Sequence, residues 1–179
     1  MRFSVKFISR TAVLLALTVV FQMLGRIIPP PYNSFISGPL VNACLLLAAA
    51  FSGVWSGVII SILAPFTSLI NNHAAIAPVL LMFAPFIAVG NSILVVSFNL
   101  LKKRSKLFGI LAGAVLKFAF LWGAIVIFVR VNTAVNPKMV PVLVSMFSVQ
   151  QLVTALIGGA AALAAMRALE NRIGGDLNG

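Results

Sequence analysis

Leu107-Phe108-Gly109-Ile110-Leu111-Ala112-Gly113-Ala114-Val115-Leu116-Lys117-Phe118-Ala119-Phe120-Leu121-Trp122-Gly123-Ala124-Ile125-Val126-Ile127-Phe128-Val129-Arg130-Val131 is apolar apart from two cations, Lys117 and Arg130, and contains no proline. As an α-helix it extends roughly 38 Å at 1.5 Å per residue, enough to cross a hydrocarbon core of about 30 Å. Five further apolar segments flank it. Upstream lie Thr11–Ile28, Gly38–Phe51, Val54–Ile70 and Ala77–Leu101, and downstream lies Val140–Ala165. The first is expected to stop at Pro29-Pro30-Pro31, which cannot continue a helix, and Pro85 is expected to kink the fourth. The second and third are short and share a tight Ser52-Gly53 junction. The sixth carries Gly158-Gly159-Ala160-Ala161-Ala162, whose small side chains allow close backbone approach.

Composition supports a membrane-spanning reading. Hydrophobic residues make up 61% of the 179-residue chain and charged residues 8%. A soluble domain carries about 25% charged residues. One cysteine, Cys44, excludes an intrachain disulfide, and the chain is expected to form a single membrane domain over residues 1–179. The basic start before the first apolar run resembles a signal peptide, but no small-x-small cleavage site closes the run, so a retained first helix is expected.

The net charge of +11 is distributed as a topology signal rather than as a nucleic-acid footprint. Nine cations fall on one side: Arg2, Lys6, Arg10, Lys102, Lys103, Arg104, Lys106, Arg167 and Arg172. Three fall on the other: Arg26, Arg130 and Lys138. The positive-inside rule then gives an all-α integral membrane protein with six transmembrane helices and both termini cytoplasmic, in the cell membrane.

Carboxylates are confined to Glu170 and Asp176; none occurs between Met1 and Leu169. Proton relays, cation sites and magnesium–phosphate chemistry inside a bilayer draw on such groups. With one His, one Cys and no usable acid, the chain is not expected to be an enzyme or to hold a metal. No Gly-x-x-x-x-Gly-Lys-Ser/Thr run offers a nucleotide site. Lys117 lies near the bilayer middle and has two readings: a counter-charge for an anionic ligand, or a side chain bending toward the headgroups. Arg130 reads as an interfacial anchor or as a grip on an acidic ligand from outside. Gln22, Asn42, Asn91, Asn99, Gln150 and Gln151 are amides within spans, able to tie helices together or to read a ligand. Ser145, Ser148 and Gln151 are spaced to form one slanting polar stripe. The outward loops carry Tyr32, Asn33, Asn72 and His73, and Trp122 could stack on a ring. Ala12 and Ala16 share one face of the first helix.

Taken together, the length, six spans, cytoplasmic termini, short second and third helices, the Ala12/Ala16 pair and the stretch Ile36-Ser37-Gly38-Pro39-Leu40-Val41-Asn42 resemble the substrate-binding (S) component of energy-coupling factor transporters. The resemblance implies a capture protein for a vitamin or similar small organic micronutrient. It implies docking through Ala12 and Ala16 on a transmembrane coupling subunit with two cytoplasmic ATPases, which use the ATP; no cofactor resides in this chain. The implied ligand site lies toward the outer face, at Tyr32, Asn33, Asn72, His73, Asn91, Trp122 and Gln151, with Lys117 and Arg130 as anion partners. The absence of acids favours a neutral or anionic ligand over a cationic one. A self-sufficient carrier or channel, or a noncatalytic scaffold, is the competing expectation.

Overall fold

The computed structural model describes residues 4–24, 32–69, 77–132 and 135–175, the side chains of 32–34 and 172–175 excepted. Every regular element among them is helical: α1 (Val5–Met23), α2 (Tyr32–Phe51), α3 (Val54–Leu69), α4 (Ala77–Leu101), α5 (Lys106–Val131), a single 3-10 turn (Pro137–Met139), α6 (Val140–Met146) and α7 (Val149–Gly175). Four segments are long and apolar enough to cross a membrane: Val5–Met23, Ala77–Leu101, Lys106–Val131 and Pro137–Asn171. The apolar stretches of α2 and α3 are shorter.

Helix α1 buries polar side chains and turns apolar ones outward, the reverse of a helix in a water-soluble bundle. The buried residues of α1 are Thr11, Thr18 and Gln22, while Val5, Ile8, Val13 and Val20 face outward. Leu100, Leu116, Trp122 and Ile127 are likewise exposed. Polar groups inside and apolar groups outside satisfy hydrogen bonds internally and leave hydrocarbon for lipid.

Three boundaries differ from the sequence expectation, each for a local reason. Helix α1 begins at Val5 because the Ser4 hydroxyl accepts the Phe7 N–H as an N-cap, so Lys6 and Arg10 lie in the helix instead of before it. Helix α2 starts at Tyr32 rather than Gly38 and runs through Pro39. This moves Tyr32 and Asn33 from a loop into a first helical turn. Proline is tolerated in such an interior because packed neighbours re-satisfy the freed backbone. The expected sixth helix, Val140–Ala165, is broken at Phe147-Ser148. There the Ser148 hydroxyl donates to the Ser145 carbonyl and the Gln151 amide to the Met146 carbonyl, so side chains take up acceptors at the end of α6. Ser145, Ser148 and Gln151 therefore do not form one continuous helical stripe. Helix α4 has the expected bounds and continues through Pro85, and Gly53 turns the α2–α3 junction at φ 92°.

Two apolar cores lie at different depths. One gathers Leu45, Leu46, Ile60, Leu94, Val95, Phe98, Ile110 and Met166. The other gathers Leu80, Phe83, Leu121, Ile125, Leu143 and Phe147. In the second, the Phe83 ring meets Phe86 at 5.1 Å, Phe128 at 5.2 Å and Phe147 at 4.6 Å between centroids, joining α4, α5 and the α6–α7 break. At the Phe51 end of α2, Arg10 donates to the Phe51 carbonyl and Lys102 to the Ala49 carbonyl, cations at a helix C-terminus. Burial, and then the charge of Lys103, hold the Lys102 ammonium below its ordinary pKa. One ion pair, Lys106–Glu170 at 2.5 Å, ties α5 to α7. Both side chains are well exposed, so it adds little.

Helices α2 and α7 cross almost backbone to backbone. A Cβ on Gly158 would sit 2.4 Å from the Pro39 carbonyl oxygen and 2.8 Å from Asn42 Cβ. Gly158→Ala is therefore expected to destabilise the protein by about 1–3 kcal/mol, the usual range for overpacking. Gly123→Ala is the control, since nothing lies within 4 Å of a Cβ there. Thermal melting of the two variants in detergent checks this: Gly158→Ala should melt several degrees below wild type and Gly123→Ala should not.

Candidate functional site

Between the two apolar cores the helices supply polar residues, and there they line an open cavity of about 170 Å³. On α4 the order along the chain is the second core at Phe83, the cavity at Asn91 and the first core at Leu94 and Phe98. On α5 it is the first core at Ile110, the cavity at Lys117 and the second core at Leu121 and Ile125. The polar wall comprises Gln22, Asn42, Asn91, Lys117 and Gln151, with Ser37 and Ser68 beside them. Leu80, Ile87, Met146 and Phe147 close the apolar side.

Lys117 is 3% exposed and does not bend to a headgroup; its Nζ donates to Asn42 Oδ1 at 2.6 Å. It lies eleven residues into α5, about 16 Å from the helix start, and Asn42 lies about 14 Å from the end of α2 at Phe51. Both thus lie near the middle of their helices, and α5 is long and apolar enough to cross a membrane. Placing a lysine there costs roughly 2.5–3.5 kcal/mol on insertion scales, and a hydrogen bond to a charged group returns about 1.5–3. The ammonium has three N–H donors, of which Asn42 takes one. Glu170, the acidic residue among those described, is held by Lys106. A negative charge beside Lys117 must therefore come from outside the described part of the chain.

Gln22 brings α1 into the same wall. Its amide donates to the Ala64 carbonyl at 2.9 Å, and its carbonyl accepts the Thr67 hydroxyl at 2.8 Å. Gln151, in the first turn of α7, also lines the cavity, and its side-chain amide donates to the Met146 carbonyl at 3.0 Å.

Of the residues singled out in the sequence, the cavity brings together Asn91, Lys117 and Gln151. Trp122 is 50% exposed and stacks on Phe118 on the outside of α5, at 6.2 Å between ring centroids. Arg130 is exposed near the end of α5 and does not line the cavity. Asn72 and His73 lie outside the described residues, as do the side chains of Tyr32 and Asn33. Ala12 and Ala16 are exposed along α1. Sequence reasoning did not place Gln22, Asn42, Ser37 and Ser68 in the site. The signal for the first two was their presence as amides in apolar segments; the two serines gave none. Among the described residues no group of His, Cys, Asp and Glu could hold a metal ion. No family model matches the chain, and no curated protein or solved structure matches it either.

The Lys117–Asn42 bond makes an asymmetric prediction. Asn42→Leu strands the ammonium and is expected to cost about 1.5–3 kcal/mol, while Lys117→Met removes the charge and should be far milder. Lys117→Met should also rescue Asn42→Leu in the double variant. Unfolding midpoints of the four proteins in detergent test this; additive losses would contradict it.

Proposed function

We propose that the chain is a membrane-embedded capture subunit for a small carboxylate-bearing organic molecule, working as the S component of an energy-coupling factor importer. The observation that carries the proposal is the buried Lys117 at mid-depth, in a polar cavity with Asn42, Asn91, Gln22 and Gln151. A carboxylate is the natural complement of an ammonium and amides, since it accepts from all of them and supplies the charge the chain lacks. The cavity volume sets the scale. About 170 Å³ is below the roughly 300–1,000 Å³ of drug-sized pockets and close to the 150 Å³ that admits benzene. A carboxylate on one small ring, or an open chain of that bulk, matches it.

Energetics support a subunit over an autonomous pump. No carboxylate lies in the first 169 residues, so ion coupling through an acidic site has no ligand in the spans short of Glu170 near the end of α7. On this reading the six spans are α1 to α5 and the broken α6–α7 unit, with both termini cytoplasmic, as the nine-to-three asymmetry of cations suggests. The exposed Ala12/Ala16 face of α1 then docks on a transmembrane coupling subunit whose two ATPases power uptake. The membrane is the cell membrane.

The test is purification of the chain from its own host, with mass spectrometry of copurifying proteins and of the small molecule released on denaturation. A transmembrane subunit, two ATPases and a bound small carboxylate are expected. The 19.0 kDa chain emerging alone and without a bound molecule would sink the proposal. For the molecule so identified, Lys117→Met should weaken binding at least about 30-fold, the cost of truncating a buried charge partner. Arg130→Gln should leave affinity within about threefold, as for a rim charge. Ala12→Leu with Ala16→Leu should abolish uptake and spare binding.

A further inference from the structure

On the side of the bundle formed by α5 and α7 runs an apolar groove of about 520 Å³, separate from the cavity around Lys117. Its floor and walls come from Ile110, Leu111, Gly159, Ala160, Leu163 and Ala164, and it ends at Arg167. The groove exists because α7 carries small residues where α5 presses closest: a Cβ on Gly159 would meet Ile110 Cγ2 at 2.2 Å. Ala160 and Ala164 flank this contact and are exposed.

We infer that this groove seats one acyl chain of an anionic phospholipid, with Arg167 holding the headgroup phosphate. Length supports it first. From Leu156 to Arg167 the groove follows eleven residues of α7, about 16 Å, which is one leaflet of a roughly 30 Å core. The cation therefore stands at headgroup height when the groove lies at acyl-chain depth.

Charge supports it second. Leu107, at the same end of the groove, directly follows Lys106, and Lys106 neutralises Glu170 through the α5–α7 ion pair. Glu170 lies three residues beyond Arg167, so without that pair it would compete for the guanidinium. Exposed Lys103 and Arg104 precede the start of α5 and add to the positive potential at that end. A second copy is the poorer occupant. A two-fold contact between chains of the same orientation would set this cationic end against itself.

The experiment is native mass spectrometry of the full chain in neutral detergent, titrated with palmitoyl-oleoyl phosphatidylglycerol or with phosphatidylcholine of the same chains. Wild type should retain one phosphatidylglycerol with about fivefold preference, the effect of one basic residue at a membrane surface. Arg167→Gln should abolish the preference, and Ala164→Leu should cut retention of both lipids about fivefold. Ala160→Leu serves as a second groove-filling variant, and melting temperatures confirm that each protein is folded. Equal retention of the two lipids by wild type, unchanged retention in the variants, or a dimer in place of the lipid adduct would overturn the inference. None of these readouts depends on the molecule captured near Lys117.

Discussion

A lysine amino group buried midway along α5, between two apolar cores, is the constraint around which the molecule is arranged. Along α5 Lys117 is flanked by apolar core on both sides, Ile110 toward one end and Leu121 with Ile125 toward the other. Its charge is met by Asn42 at 2.6 Å, from a helix seventy-five residues away in sequence. A carboxamide is a weak partner for a cation: it lends a dipole where a carboxylate would lend a full charge. The bond is enough to offset much of the insertion cost but not to neutralise the site. A structural lysine would be better replaced by an apolar residue, because paired buried charges rarely improve on well-packed hydrocarbon.

Holding Asn42 in place falls to the α2–α7 crossing. Gly158 lets the α7 backbone approach the Pro39 carbonyl, and Gly38 on α2 faces Thr154, where a Cβ would come within 3.1 Å of the methyl. Two glycines and a proline thus set the separation of α2 from α7, and Asn42 is one turn further along the same face of α2. On the other side Gly90 fits against Leu121, where a Cβ would meet Leu121 Cγ at 2.8 Å, bringing α4 and its Asn91 close to α5. The close approach of α2 to α7 and of α4 to α5 therefore determines where the polar groups converge.

How much of this can be read from residues alone follows from range. Apolar runs and their breaks are local, so α3, α4 and α5 match expectation within a residue. The misses come where polar side chains or tertiary packing decide. Ser4 caps α1 ahead of its apolar run, α2 passes through Gly38-Pro39 because α7 lies against it, and side-chain hydrogen bonds attend the break at Phe147-Ser148. Lys117 stands out in sequence, since a lone cation in a long apolar helix requires an explanation. Its partner does not: nothing in spacing or period selects Asn42 from the other amides. Trp122 shows the reverse error. An aromatic residue within a span can be read as a ring-stacking candidate, yet Trp122 is half exposed and stacks on Phe118 instead of lining the cavity.

Helix α1 is where capture and delivery would meet on the proposed reading. It is tied to α3 by hydrogen bonds, Thr11 to Ser56 at 2.8 Å and Gln22 to Thr67 and the Ala64 carbonyl, while its Leu14 and Leu15 pack against the apolar core that includes Ile60. Its exposed side carries Ala12 and Ala16, and its far end contributes Gln22 to the cavity wall. Hydrogen bonds between membrane helices are individually weak, averaging about 0.6 kcal/mol in measured cases, so such an attachment can be re-formed at small cost. A partner that bound the alanine face and shifted α1 would have to break the Gln22 contacts, and the cavity would lose one of its polar walls as it did so. Binding of the partner and binding of the ligand would then be linked through one side chain, and linkage is reciprocal: whatever a docked partner subtracts from ligand affinity, a bound ligand subtracts from docking.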